Sequence, residues 1–178
     1  MLALARRRLV FAAMLVLLIL AGLWLFWRPS IAITPSLHLP PVDRLVVNKA
    51  KRQMLAYSGG RLVHTFEGIQ LGDAPVGQKQ FEGDERTPEG RYSIDYRNPR
   101  SRYHLSLHIS YPDKAARDFA RQAGRSPGGD VFIHGQPNSL PLGRMRGDWT
   151  NGCIALSNDE IEALWLAVED GTQIEIRP

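Results

Sequence analysis

The sequence predicts a mainly β domain with two short helices, preceded by one N-terminal transmembrane helix. Several short segments alternate apolar and polar residues, which is the pattern of half-buried strands. Two other segments carry apolar residues at helical spacing, and residues 9–27 contain no charged side chain. The 178 residues leave room for one domain and an appendage.

The uncharged segment 9–27 would be about 28 Å long as a helix, close to the roughly 30 Å hydrocarbon core of a bilayer. Three arginines precede it in the leader, residues 1–8, and only Arg28 follows closely. This bias predicts a cytoplasmic leader, a single-pass anchor in the cytoplasmic membrane and an exported remainder. A cleavable signal peptide is the alternative, because residues 30–32 resemble a small-residue cleavage site.

The distribution of charge argues against a nucleic-acid partner. All 18 acidic residues follow the uncharged segment, and without the arginines of the leader 19 basic residues face them. A nucleic-acid surface needs basic residues clustered on one face. Arg97, Arg100 and Arg102 form a small basic patch, which we interpret as a solvated loop, with contact to an acidic substrate as the alternative.

Residues 28–42 are a proline-rich linker that would hold the domain, residues 43–178, away from the membrane. The predicted strands are, in order, residues 45–47, 53–57, 61–69, 91–96, 103–110, 131–134 and 172–176. They are rich in β-branched and aromatic residues, and glycine-containing turns separate several of them. Residues 71–89 hold many Gly, Asp, Lys and Pro residues and are predicted to form a long loop.

Two helices are predicted between the later strands. The first is capped by Asp113, and Gly124 suits its C-terminal end. The second begins at Ser157, which forms a capping box with Glu160, and Gly171 is expected to end it. The predicted buried stripes are Ala116, Phe119, Ala120 and Ala123 in the first helix and Ile161, Leu164, Trp165 and Val168 in the second.

The only cysteine, Cys153, is the strongest candidate for chemistry. A single cysteine in an exported protein cannot form an internal disulfide, so the thiol needs another role. The thiolate is the reactive form, and an imidazole can take the thiol proton and remain as a stabilising cation. His134 ends an apolar strand nineteen residues upstream and is the predicted base. The alternative is a buried structural thiol.

Gly152 directly precedes the cysteine and permits a sharp turn that exposes its side chain. Such a turn would direct the backbone N–H groups of Gly152 and Cys153 at a developing oxyanion. Thr150 and Asn151 are predicted to support the turn, with Thr150 hydrogen-bonded inside it.

Four further residues are candidates for substrate contact. Gly135 permits close approach, Asp148 would orient a substrate amine or cap the turn, and Trp149 is interpreted mainly as packing. His108 lies with His104 on a strand face that would line the cleft. These two histidines are four residues apart, but the segment is predicted as a strand and lacks the acid of a zinc-binding helix. We therefore predict no metal and no organic cofactor.

The pair His134-Gly135, followed by Thr-Asn-Gly-Cys-Ile at residues 150–154, resembles the YkuD-type L,D-transpeptidase catalytic domain. That family carries a histidine and then a Ser/Thr-x-Gly-Cys signature. Thr-Pro-Glu-Gly-Arg-Tyr at residues 87–92 is similar to another of its motifs. Residues 109–112 and 148–155 resemble its YafK-like subgroup, and the resemblance covers nearly the whole predicted domain.

This resemblance implies a β-rich, sandwich-like domain with its thiol in a cleft, and the stem peptides of peptidoglycan as substrate. Cys153 would attack a carbonyl next to a diaminopimelate centre and form a thioester. His134, its ring oriented by a neighbouring backbone carbonyl, would shuttle the proton. An amine acceptor then gives a cross-link, and water gives hydrolysis.

Two positions depart from the family's pattern. Many members have a second histidine before the Gly-Cys pair and an arginine two residues after the cysteine, where this chain has Asn151 and Ala155. The absent arginine removes a possible carboxylate contact. The YafK-like subgroup shares such changes and includes an enzyme that detaches a lipoprotein from peptidoglycan. The hypotheses are a membrane-anchored, periplasm-facing transpeptidase, a hydrolase that uses the same site to release a wall-linked lipoprotein or residue, and a non-catalytic wall-binding domain.

Overall fold

The computed structural model describes residues 36–140 and 142–178, together with Met14. The predicted leader, the rest of the predicted transmembrane segment and the linker up to residue 35 lie outside these residues. Among the described residues, no helix is long and apolar enough to cross a bilayer.

The described residues form eight strands and two helices, so the fold is mainly β, as predicted. The strands are β1 (Val42–Asn48), β2 (Gln53–Ser58), β3 (Arg61–Glu67), β4 (Gly90–Ser101), β5 (His104–Ile109), β6 (Phe132–His134), β7 (Ile154–Ala155) and β8 (Val168–Arg177). The helices are α1 (Lys114–Gln122) and α2 (Asn158–Ala167).

All eight strands belong to one sheet in the order β3-β2-β1-β8-β4-β5-β6-β7. Strand β4 joins its two halves, because its first residues pair with β8 and its later residues pair with β5. Register shifts after Ile94 and after Asn98 interrupt the second pairing and bend the strand. Leu45 and Phe66 from one half and Ile133 from the other are fully buried in a common core. The sheet therefore curls around this core, which is the sandwich-like arrangement that the resemblance implied.

Strand β7 is short but held on both edges. On one edge it pairs in parallel with β6, where Ile133 faces Ile154 and His134 faces Ala155. On the other edge the backbones of Gln70 and Ala155 exchange two hydrogen bonds of 2.8 and 3.0 Å. This pairing places the last residue of β6, His134, opposite the last residue of β7, and Cys153 directly precedes β7.

Both predicted helix starts are confirmed. Ser157 and Glu160 form the capping box of α2, and the Asp113 carboxylate accepts the Ala116 N–H at the start of α1. The predicted stripe of α2 is largely buried, but that of α1 is not. Phe119 is 48% exposed and stacks on Phe81 of the long loop, because α1 contributes only Ala120 to the buried interior.

Three other features differ from the prediction. The basic patch is not a loop, because β4 continues to Ser101 and carries Arg97 and Arg100 in a long hairpin with β5. Helix α2 ends at Ala167 and β8 starts at the next residue, so Gly171, with φ +95°, lies inside the strand. Strand β7 was not predicted, since two residues are too few to show a periodic pattern.

Replacing Ile133 by alanine is expected to lower the free energy of unfolding by about 2–5 kcal/mol, because the side chain is fully buried in the strand that carries His134. Urea unfolding of the full chain measures this change. The control is Val76→Ala, at a side chain that is 83% exposed, with an expected change within about 0.5 kcal/mol. Equal effects of the two substitutions would contradict the described core.

Candidate active site

Cys153 and His134 line two cavities that meet at these residues. The larger cavity has a volume of about 750 Å³. The second has a volume of about 430 Å³ and is called the arginine cavity, because Arg100 and Arg102 of the β4–β5 hairpin line it. The predicted nucleophile and base are therefore brought together at one open site, which a buried structural thiol would not require.

The thiol of Cys153 is half-buried and is held by backbone groups. Its Sγ accepts the N–H of Phe132 at 3.4 Å and donates to the carbonyl oxygen of Asp130 at 3.6 Å. Burial raises the pKa of the Cys153 thiol to about 11, although the Phe132 N–H and the Lys79 ammonium both act to lower it. At neutral pH the side chain is therefore an uncharged thiol.

The His134 ring is buried, and its tautomer follows from its partner. Nδ1 lies 2.7 Å from the carbonyl oxygen of Gly135, which can only accept, so Nδ1 carries the hydrogen. Nε2 then has a free lone pair. Burial lowers the pKa of the His134 imidazole below its ordinary value, so the ring is neutral at pH 7 and able to take a proton at Nε2.

Two aromatic side chains fix the plane of this ring. Tyr103 stacks on the imidazole with centroids 4.6 Å apart, and Trp149 contacts it edge-on at 5.6 Å. Trp149 thus packs against His134, and it also lines the larger cavity, so substrate contact stays a prediction for it. Tyr103 was not singled out from the sequence, because its position depends on the turn between β4 and β5.

No direct hydrogen bond joins the His134 ring to the Cys153 sulfur. Each group is instead oriented by its own backbone partners, and both face the same cavities. Catalytic hydrogen bonds often shorten only when substrate is bound. The arrangement is a neutral thiol beside a neutral imidazole, not a preformed thiolate–imidazolium pair.

Thr150 organises the turn that precedes the cysteine. Its hydroxyl donates to the Cys153 carbonyl at 2.7 Å and accepts the Gly152 N–H at 3.1 Å. Gly152 has φ +129°, and a Cβ there would lie 2.6 Å from the Arg86 carbonyl oxygen, so only glycine fits. Asn151 is exposed and lines the larger cavity.

This turn changes the predicted oxyanion site. The Gly152 N–H is already bonded to Thr150, whereas the Cys153 N–H has no acceptor among the described residues. Of the two predicted backbone donors, only that of Cys153 is available to a developing oxyanion.

Three predicted contact residues do not line either cavity. Gly135 is buried beneath α2, where an added Cβ would lie 2.7 Å from Asn158 Oδ1, and its role is to orient His134 through its carbonyl. His108 pairs with Asp95 at 2.5 Å and stacks on Tyr96. The strand pattern placed His108 on a face expected to line the cleft, but its side chain contacts Asp95 and Tyr96 and lines neither cavity.

Asp148 is the third of these residues, and its carboxylate is committed to holding the loop. It pairs with the Arg52 guanidinium at 2.6 Å and accepts the Leu71 N–H at 2.8 Å. Of the two roles left open by the sequence, Asp148 therefore has the structural one.

A buried ion pair beneath the turn was missed by sequence reasoning. Lys79 Nζ lies 2.8 Å from Asp84, and it would be 3.6 Å from a Cβ placed on Gly152. Burial acts to raise the pKa of Asp84, but the bond from Lys79 and three backbone N–H donors outweigh it, and the pKa is lowered. Nothing local marks this pair, because the long loop between β3 and β4 has to fold back to form it.

The motif at residues 87–92 also serves the structure of that loop. The buried Lys49 ammonium donates to the Thr87 carbonyl at 2.9 Å and to Glu89 at 2.8 Å. The Thr87 hydroxyl accepts the N–H of Gly72. The backbone of Asp73 in turn donates to the Thr150 carbonyl oxygen, so the motif supports the cysteine turn from below.

Comparison with known proteins gives the family and the fold of this chain. Residues 42–176 match the family model of the YkuD L,D-transpeptidase catalytic domain. Among solved structures, the chain is similar to the helical cell shape determining protein Pgp2 from Campylobacter jejuni, with 26% identity and a TM-score of 0.60. The similarity covers 88% of this chain and 54% of that one, so the chain spans about half the length of Pgp2.

Two further structures share the fold. Bd1075 of Bdellovibrio bacteriovorus has 24% identity and a TM-score of 0.51 over 81% of this chain and 53% of its own. An L,D-transpeptidase from Xylanimonas cellulosilytica has 18% identity and a TM-score of 0.50 over 88% of this chain and 68% of its own. In a comparison with curated proteins, nothing matches this chain.

Alkylation of Cys153 by iodoacetamide is expected to be slow at pH 7 and to accelerate about tenfold per pH unit up to pH 9, because only the thiolate reacts and its pKa is raised. Mass spectrometry of the labelled full chain gives the rates, with Cys153→Ser correcting for reaction elsewhere. A rate independent of pH over this range would show that the thiolate already exists at neutral pH.

Thr150→Val is expected to lower the free energy of unfolding by about 1–3 kcal/mol, because it removes the hydroxyl that satisfies the Gly152 N–H. Thr150→Ser keeps the hydroxyl and should retain most of the stability. Urea unfolding compares the two variants, and equal losses would mean that the hydroxyl does not hold the turn.

Proposed function

The chain belongs to the family of YkuD L,D-transpeptidase catalytic domains, and on this premise we propose that it acts on peptidoglycan stem peptides through a cysteine acyl-enzyme. The observation that carries the proposal is the joint placement of Cys153 and His134 on one cavity, with His134 Nε2 free to accept a proton. The family match supports the substrate class, and the site supports the chemistry.

In the first half-reaction, Sγ of Cys153 attacks the carbonyl carbon next to a diaminopimelate centre while its proton passes to His134 Nε2. A neutral pair favours transfer of the proton as the carbonyl arrives, because a buried thiolate without substrate is costly. The Cys153 N–H is the donor proposed to face the oxyanion. The tetrahedral intermediate then collapses to a thioester, and the leaving amine takes the proton from the imidazolium.

The second half-reaction needs an acceptor at the thioester. An amine from another stem peptide would give His134 its proton, attack the carbonyl and form a cross-link, with the sulfur leaving as the restored thiol. Water in the same role gives hydrolysis and release of a residue or of a wall-linked lipoprotein. The two reactions share the acyl-enzyme and differ only in the acceptor.

Hydrolysis is kept as the second candidate because of the residue two positions after the cysteine, where many family members have arginine. Residue 155 is a buried alanine, bonded to Gln70, and it offers no side chain for an acceptor. The YafK-like subgroup stays a hypothesis, since the family match does not distinguish it.

We place this activity in the periplasm, on a domain tethered to the cytoplasmic membrane by residues 9–27. The arginines of the leader and the uncharged segment support this orientation. Peptidoglycan lies on that side of the membrane. Since Pgp2 is named as a determinant of helical cell shape, a contribution to cell shape through wall modification is part of the same proposal.

Incubation of the full chain with purified muropeptides is expected to give new cross-linked or shortened products, identified by mass spectrometry. Cys153→Ala should abolish the products, because no thioester forms, and His134→Gln should reduce the rate by at least about a hundredfold. Cross-linked dimers support transfer, whereas loss of a residue or lipoprotein supports hydrolysis. If wild type and Cys153→Ala leave the muropeptides in the same state, a non-catalytic wall-binding role is favoured.

A further inference from the structure

The arginine cavity carries two positive charges that the fold does not use. Arg97, the third member of the basic patch, donates to the Trp165 carbonyl oxygen at the end of α2 and stands 3.7 Å from Asp170. In the described residues, the guanidinium groups of Arg100 and Arg102 have neither an ion pair nor a hydrogen bond. The other residues of the chain contain no Asp or Glu.

The turn that carries Arg102 is held rigidly. Asn138 donates its backbone N–H to the Arg102 carbonyl at 3.0 Å, and its side chain bonds to the His104 N–H at 2.8 Å and to the Ser101 carbonyl at 3.0 Å. The same turn places Tyr103 on His134. The backbone that presents the unpaired charge is thus fixed relative to the catalytic ring.

The larger cavity has the opposite character. Glu82 and Glu85 line it, and Asp130 lies where the two cavities meet and lines both. None of the three is in an ion pair within residues 36–140 and 142–178. Its one lysine, Lys79, is already neutralised by Asp84. An anionic group would be repelled there and attracted on the other side of Cys153.

We propose that the arginine cavity is a carboxylate subsite, in which Arg100 and Arg102 bind a free carboxylate of the peptide that Cys153 attacks. Arginine matches carboxylate geometry with paired N–H donors, and a volume of about 430 Å³ accommodates one or two residues. The identity of the peptide rests on the proposed function. The carboxylate is either the terminal one or that of a side chain, and both present the same chemistry.

The charge preference of the cavity is tested with two alkylating reagents. Iodoacetate carries a carboxylate and iodoacetamide is its neutral counterpart, so the ratio of their rates at Cys153 cancels changes in thiol pKa. At low salt, this ratio is expected to fall at least about fivefold in the double variant Arg100→Gln/Arg102→Gln. Arg100→Lys/Arg102→Lys should keep part of the wild-type preference for iodoacetate, because the positive charge remains.

The matched control for this experiment is Arg61→Gln/Arg117→Gln. It removes the same charge from exposed residues that line neither cavity, and its ratio should equal that of wild type. An unchanged ratio in Arg100→Gln/Arg102→Gln, or an equal drop in the control, overturns the proposal.

A second arm uses stem peptides amidated at the terminal or at the side-chain carboxylate. Amidation of the recognised group is expected to raise KM about tenfold for wild type and hardly at all for Arg100→Gln/Arg102→Gln. If the KM of wild type is the same for both amidated peptides and for the free acid, the proposed carboxylate subsite is wrong. If wild type converts no stem peptide, the proposed function fails. The alkylation ratio still decides whether the arginine cavity prefers a carboxylate over a neutral group.

Discussion

The parallel pairing of β6 with β7 is the constraint on which the candidate site depends. Two residues of β7 are sufficient because Gln70 closes its outer edge and β6 its inner edge. The pairing places His134 opposite Ala155 and thereby fixes the imidazole relative to the thiol of Cys153, which directly precedes β7. The loops around it serve this geometry, through Thr150 above and the Lys79–Asp84 pair below.

Burial gives the two reactive groups a common property. It raises the pKa of the Cys153 thiol and lowers that of the His134 imidazole, so both are uncharged at neutral pH. In the proposed reaction, charge separation would accompany the arrival of a carbonyl whose oxygen faces the Cys153 N–H. An uncharged thiol reacts slowly with solutes, because the thiolate is the reactive form.

Local signals in the sequence predicted much of this molecule. The caps of both helices depend on a few neighbouring residues, as does the sharp turn at Gly152. The family predicted from the Cys–His motif is the one whose model matches residues 42–176. The strand pattern predicted the mainly β class, since alternation reports burial directly.

What the sequence could not show depends on contacts between distant segments. Asp148 was a candidate for substrate contact, but Arg52, 96 residues away, neutralises it. The Gly152 N–H was predicted as an oxyanion donor, but the hydroxyl two residues earlier takes it. The use of Arg97 at a helix end, and of Arg100 and Arg102 at a cavity, likewise follows from how the hairpin bends.

The central claim is that His134 is held as a neutral base with its hydrogen on Nδ1. Nitrogen-15 NMR of the histidine rings in the full chain at pH 7 measures this directly, with His134→Gln identifying the signal. A protonated Nδ1 and an unprotonated Nε2 agree with the bond to the Gly135 carbonyl. A hydrogen on Nε2, alone or together with one on Nδ1, would contradict it, because the ring could then take no proton from the thiol.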